Sequence, residues 1–306
     1  MYHRIAEVKA DPWQLAVAPN RFEEQLSVLR HLREPLTMTE FVNGLERGEL
    51  PANAVAVTFD DGYVDNLQNA KPRLAQAGIP ATVFIATGSV GSAREFWWDE
   101  LARLILHSGE INFELLIAGD LLRLALPTEP LPVSPWNDWQ RPRTERESAY
   151  LAIWERLQSL SSSERENAMT SLRAAIESQG PSSDDLPMTA CEVRELASDG
   201  LIQVGAHSIT HPLLTKLPPV ERWREIAISK RECEQLVHGR IEAFAYPHGA
   251  FDNDTCAMVR EAGFRLACAT RGKAVNIRQF DSLTLPRLQV MNWTGEAFEC
   301  ALREAS

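Results

Sequence analysis

An α/β fold around a parallel sheet is predicted for this chain, and three observations predict it. Short apolar runs alternate with helical-period segments over most of the 306 residues, the rhythm of strands joined by crossover helices. About seven of those runs have the length and bounding turn residues of strands. Polar clusters stand at the C-terminal ends of several: Asp60-Asp61-Gly62 after Ala54–Phe59, His207 to His211 after Leu201–Ala206, and Pro247-His248-Gly249 after Ile241–Tyr246. In a βα barrel and in an open parallel sheet alike, that edge is where ligand and catalytic groups assemble.

The elements follow in order. Tyr2–Ile5 opens the chain as a short strand. Phe22, Leu26 and Leu29, spaced by four and three, predict a helix over Phe22–Leu32. Leu36–Met38 reads as a short strand and Thr39–Arg47 as a helix stopped by Gly48. Ala54–Phe59 is an apolar strand that runs straight into two carboxylates. Val64–Ala77 follows as a helix that Pro72 kinks or restarts, since proline lacks an N–H and clashes with the preceding turn. Ala81–Thr87 is the next strand.

From Gly88 to Pro187 the rhythm is lost. Phe96-Trp97-Trp98 opens an amphipathic segment through Leu106, and Ile111–Ala118 and Leu121–Leu126 pair as a hairpin. A Pro-rich loop, Pro127–Pro142, leads to helices Arg146–Leu160 and Ser163–Ser178, the second with Ser163 and Glu166 spaced as a capping box. Gly180–Ser183 closes it. Residues 91–187 are therefore expected to be a mostly helical insertion in a single domain spanning 1–306. The rhythm then resumes. Thr189 and Glu192 form a capping box for a helix ending near Gly200, and strand Leu201–Ala206 follows. Next come helix Pro219–Val237, strand Ile241–Tyr246, helix Asp254–Ala262 stopped by Gly263, strands Phe264–Thr270 and Ser282–Arg287, and helix Gly295–Glu304.

A net charge of −11 without a basic stripe argues against nucleic acid as a partner. No run reaches the ~18 apolar residues of a membrane span, and Met1 to Ile5 begins no signal-peptide apolar region. The five cysteines, Cys191, Cys233, Cys256, Cys268 and Cys300, are odd in number and never spaced CxxC. That suits reduced thiols, so a cytoplasmic protein is expected.

The chemistry starts from two adjacent carboxylates at a strand end, which repel each other and lose hydration there. Alone, Asp60-Asp61-Gly62 reads as a solvated turn. It does not stand alone, because His207 and His211 close another strand with a spacing of one helical turn. Asp and His side chains suit Zn²⁺ or a similar divalent ion. Three protein ligands would leave a coordination position for water and substrate.

Thr58-Phe59-Asp60-Asp61-Gly62 and His207-Ser208-Ile209-Thr210-His211-Pro212, in this order and each after a strand, resemble the first two signature motifs of the polysaccharide deacetylases, the NodB-homology domain of carbohydrate esterase family 4. The resemblance covers about residues 1–90 and 190–290. It implies a distorted (β/α)7-type barrel, one divalent metal ion, most simply Zn²⁺, held by Asp61, His207 and His211, and Asp60 as general base. It also places an oxyanion donor at the N–H of His248, after the proline of the third motif. The third motif departs from the family's Arg-x-Pro, reading Ala245-Tyr246-Pro247-His248-Gly249, so the arginine that orients the base is missing. Arg287, at the end of the last strand, is the substitute expected here, against a surface salt bridge as the alternative. The late Leu-x-His that supplies the general acid is also missing, since no histidine follows His248. His3 on the first strand is the expected acid, and His248 the alternative.

Tyr63, Trp98, Tyr246 and His248 are the candidate substrate contacts. Trp97 and Trp98 serve equally well as sugar platforms or as anchors of the insertion. His31, His107 and His238 are read as incidental. The expected activity is hydrolysis of an N-acyl amide, in the first place N-acetyl, on an amino sugar. In the cytoplasm that sugar would be nucleotide- or lipid-linked, on the way to a surface polysaccharide. Two alternatives are another C–N hydrolase, such as a deformylase or ureide hydrolase, and a non-catalytic carbohydrate-binding relative.

Overall fold

Alternation along five short strands decides what fills the centre of the sheet and what faces the helices. The computed structural model of the chain describes residues 1–117, 119–128, 136, 140–176, 180–181, 185–270, 272 and 274–305. Contacts divide these into two units, Met1–Glu7 with Leu15–Ser92 and Pro187–Ser306, and Val8–Gln14 with Ala93–Leu186.

The first unit holds a parallel sheet of β1 (Val57–Phe59), β2 (Ala81–Ile85), β3 (Ile202–Ala206), β4 (Ala243–Ala245) and β5 (Leu266–Cys268), hydrogen-bonded in that order. Tyr2 bridges the β1 edge through Phe59, and Leu285 bridges the β5 edge through Cys268, both parallel. These bridges bring the strand positions to seven, the curled, distorted barrel that the sequence predicts. Side chains alternate across it. Val57, Phe59, Val83, Ile85, Val204, Ala206, Phe244 and Ala267 pack with the surrounding helices. Phe84, Ala243, Ala245, Leu266, Cys268 and Leu285 pack together on the other face with Met38, Val42 and Leu45 of helix Met38–Arg47. Burial on both faces explains why the strands read as unbroken apolar runs.

Gly205 sits where a Cβ would overlap the Phe84 ring and stand 3.1 Å from the Ala243 carbonyl oxygen. Gly205→Ala is expected to cost about 1–3 kcal/mol by overpacking. The measurement is the urea midpoint at constant slope, and an unchanged midpoint would show that the ring has room to move.

Several boundaries differ from expectation for local reasons. Thr37 and Glu40 form a capping box, so the helix expected at Thr39 begins at Met38, and Leu36–Met38 is not a strand. Pro72 does restart its helix: a π-helical stretch, Asn66–Ala70, precedes Lys71–Ala77. Ser282–Arg287 keeps only the Leu285 bridge. Asp281 draws the N–H groups of Leu283 and Thr284 into a turn through its side-chain and backbone oxygens.

In the second unit, helices Trp97–Leu106, Glu145–Gln158 and Ser162–Ala175 and an antiparallel hairpin, Ile111–Ile117 with Asp120–Leu126, share a core around Leu101, Ile105, Leu115, Tyr150, Ile153 and Leu172. The capping box there uses Ser161 and Glu164, not Ser163 and Glu166. Glu166 pairs instead with Arg94 and Arg173. Ala118, most of the segment expected as a Pro-rich loop, the Ser178 end of the helix expected from Ser163, and Ser182–Ser183 lie outside the described residues. Among the described residues, no helix is long and apolar enough to cross a membrane.

Candidate active site

Because alternation continues past the strand ends, Asp60 follows Thr58 and His207 follows Gly205 on the same face of the sheet. Asp61 turns with φ 73° and Gly62 with φ 89°. A Cβ on Gly62 would stand 2.8 Å from Ile85 Cδ1, so both the conformation and the space call for glycine. The turn carries Asp61 Oδ1 to 3.6 Å from His207 Nε2 and 3.5 Å from His211 Nε2. All three residues are buried, and one donor atom from each lies within 4.8 Å of the others.

These separations are long for hydrogen bonds. They are close to the ~3.3 Å between atoms that share a tetrahedral ion at bond lengths of ~2.0–2.1 Å. The His207 Nδ1–H donates to the Ala245 carbonyl at 2.8 Å, which leaves the Nε2 lone pair facing Asp61. One carboxylate and two imidazoles in this arrangement fit a divalent cation of the zinc type. Among the described residues, six non-glycine residues hold positive φ, and four of them, Asp61, Ser208, His211 and His248, are here. Such backbone strain concentrates at functional sites.

Asp60 is held beside this cluster in a bidentate pair with Arg287, Oδ1 to Nη1 and Oδ2 to Nη2 both at 2.7 Å, with Oδ2 also 3.9 Å from His207 Nε2. Both side chains are buried. Arg287 also donates to Thr58 Oγ1 and to the Ala269 carbonyl, each at 3.2 Å. Burial alone would raise the Asp60 carboxyl, but the charge of Arg287, helped by His207, holds it well below the usual carboxylate range. Arg287 is thus paired with Asp60 in the interior and not in a surface salt bridge.

His3 lies on the Tyr2 strand, whose carbonyl accepts from the Asp60 N–H at 3.0 Å. Burial lowers its imidazole to about 4, with Asp60 opposing and Arg287 and His207 adding to the fall. Two residues that sequence reasoning missed hold this strand. Asn66 donates to the His3 carbonyl at 2.8 Å, and Asp65 accepts from the Ile5 N–H and from Arg4 Nε, each at 3.0 Å. His248 is exposed, with its ring centroid 4.6 Å from that of His211.

Three expected substrate contacts are not available to substrate. Tyr63 is fully buried, with Arg4 stacked 4.6 Å from its ring centroid. Tyr246 is fully buried, and its hydroxyl donates to the Leu283 carbonyl. Trp98 belongs to the second unit, where it is buried against Phe96 with ring centroids 4.8 Å apart. Each aromatic serves as core.

The family model for polysaccharide deacetylase matches residues 47–114 and 158–267, more than half of the chain. The chain belongs to the polysaccharide deacetylase family. A poly-beta-1,6-N-acetyl-D-glucosamine N-deacetylase of Staphylococcus aureus (strain MSSA476) is 39% identical over 77 residues, 25% of this chain and 27% of that protein. The chain therefore matches about a quarter of the length of this deacetylase relative. The solved deacetylase PplD of Streptococcus pyogenes aligns with a TM-score of 0.63 at 18% identity, over 100% of this chain and 95% of that one. IcaB of Ammonifex degensii aligns with a TM-score of 0.58 at 18% identity, over 100% and 95%. At that identity the likeness is one of fold.

Proposed function

We propose that this deacetylase-family chain hydrolyses the N-acetyl amide of an amino sugar with a divalent cation held by Asp61, His207 and His211. The observation that carries the reading is the division of labour between adjacent carboxylates. Asp61 faces two histidines, while Asp60 is held ionised and aimed by Arg287. An ion bound there would polarise the acyl carbonyl and make water a usable nucleophile near neutral pH.

Asp60 takes the proton from the attacking water. The His248 N–H assists at the oxyanion, as the family motif implies. His3 gives the leaving amine its proton. It is neutral at rest, takes up the proton that Asp60 removed from water, and passes it to the nitrogen as the C–N bond breaks. An acetylated glucosamine unit as substrate is supported by the name of the staphylococcal relative. The cytoplasmic setting belongs to the same proposal and is supported by five free cysteines. There the sugar would be nucleotide- or lipid-linked.

The test incubates the purified protein with β-1,6-linked N-acetylglucosamine oligomers and with nucleotide- and lipid-linked N-acetylglucosamine. Acetate and free amine are measured with and without chelator. Acetate release should fall to background with chelator and return with added Zn²⁺. Absence of metal-dependent acetate from every substrate overturns the proposal, and formate from an N-formyl sugar or ring opening of a cyclic ureide offered in parallel would reassign the chain to another C–N hydrolysis.

A further inference from the structure

The segment between the two histidine ligands has one bond of its own, from the His211 N–H to Ser208 Oγ at 3.1 Å, and is otherwise held by groups outside it. Ser208 at φ 62° and His211 at φ 53° put two non-glycine residues in the left-handed region, a shape the backbone does not keep unaided. Glu225 Oε2 accepts from the N–H groups of Ile209 and Thr210, at 2.7 and 2.9 Å. Glu225 Oε1 accepts from the Thr210 hydroxyl at 2.8 Å. On the other side of the same segment, the Thr87 N–H donates to the Ser208 carbonyl at 3.1 Å and the Gly88 N–H to the Ile209 carbonyl at 2.9 Å. A Cβ on Gly88 would stand 2.8 Å from that Ile209 oxygen, so glycine permits the approach.

The Thr87 hydroxyl in turn donates to Glu232 Oε2 at 2.5 Å. Glu225 and Glu232 both belong to helix Pro219–Val237, about two turns apart on one side of it. One helix thus fixes the histidine segment twice, directly through Glu225 and indirectly through Glu232 and Thr87.

We propose that Glu225 is a positioning residue for the cation site, holding the backbone of Ile209 and Thr210 so that His207 and His211 both present Nε2 to Asp61. The proposal rests on reading that cluster as a cation site. Three bonds to one carboxylate are charge-assisted, and they replace water that would otherwise let the segment relax. Partners that orient metal ligands in this way are typically worth about 10–100-fold in metal affinity.

The test is Glu225→Gln, which keeps the shape but replaces one accepting oxygen with an NH₂ that faces donors. Zn²⁺ affinity is measured by competition with a chromophoric chelator, and the absorption spectrum of the Co²⁺-loaded protein reports coordination geometry. Affinity should weaken about 10–100-fold and the Co²⁺ bands should change, while the far-UV circular dichroism of the metal-free protein stays as in the wild type. Wild-type affinity within about twofold and an unchanged Co²⁺ spectrum would overturn the proposal, the expected loss being about 10–100-fold. If E225Q does not fold, Thr210→Val removes the hydroxyl bond alone. It should then weaken Zn²⁺ binding several-fold, and unchanged binding overturns the role. Wild-type protein that takes up neither metal sinks the cation site and this inference together. Equal uptake by wild type and variant sinks only the inference.

Discussion

Asp60→Asn should lower kcat for acetate release by roughly 10²–10⁴-fold, the usual worth of a positioned general base. The amide keeps the size of the carboxylate but cannot take a proton from water. Both Asp60 oxygens are engaged by Arg287, and Oδ2 comes no closer than 3.9 Å to His207 Nε2, so Zn²⁺ affinity should stay near the wild-type value. Measuring both quantities on the same preparation separates base from ligand. Retained turnover would remove Asp60 from catalysis, and lost Zn²⁺ binding would move it into the coordination sphere. A carbohydrate-binding relative without activity would show neither turnover in the wild type nor altered sugar affinity in the variant.

Arg287→Met should be the most damaging single change to stability at this site. It leaves the Asp60 carboxylate buried without its bidentate partner, and breaking such a pair typically costs about 3–5 kcal/mol. The pH dependence gives the cause. In the wild type the folded Asp60 pKa is depressed, so the stabilisation is fully present above the ordinary ~3.9 and is lost as pH falls below it. Without Arg287, burial dominates and the folded pKa rises above the unfolded value. The variant then gains stability as pH falls through that raised value, because the folded state holds the extra proton. Urea denaturation should therefore show the widest gap between wild type and variant at neutral pH and a narrowing gap towards pH ~4. A gap that does not change with pH would assign the loss to packing against Phe84, whose ring centroid lies 5.5 Å from the guanidinium carbon.

The parts of the site that were legible in the sequence carry their chemistry in their side chains. Asp60, Asp61, His207 and His211 stand at strand ends, and their types alone suggest an ion and a base. Arg287 was legible only as a complement, once the third motif was seen to lack its arginine. Asp65, Asn66 and Glu225 were not legible. A glutamate inside helix Pro219–Val237 looks like any solvated helical residue until the fold brings the Ile209 and Thr210 N–H groups to it. Tyr63 and Tyr246 were misread because proximity to a motif does not say whether a ring faces core or cleft, and of the two readings left open for Trp98 the packing one is what the structure shows. Helices Pro219–Val237 and Gly295–Glu304 have the bounds expected of them. Strands shrank, Ile241–Tyr246 to Ala243–Ala245, because a run buried on both faces has no alternation to mark its ends.

The pairing of Asp60 with Arg287 joins positions 227 apart in the chain. A polypeptide emerging from the ribosome has made Asp61, His207 and His211 well before Arg287. The base is thus the last part of the proposed site to be completed, because the guanidinium that aims it is made after every proposed ligand. A chain cut before Arg287 is therefore expected to lose both the aimed base and the stability of the buried pair, so activity and folding should fail together in clipped protein.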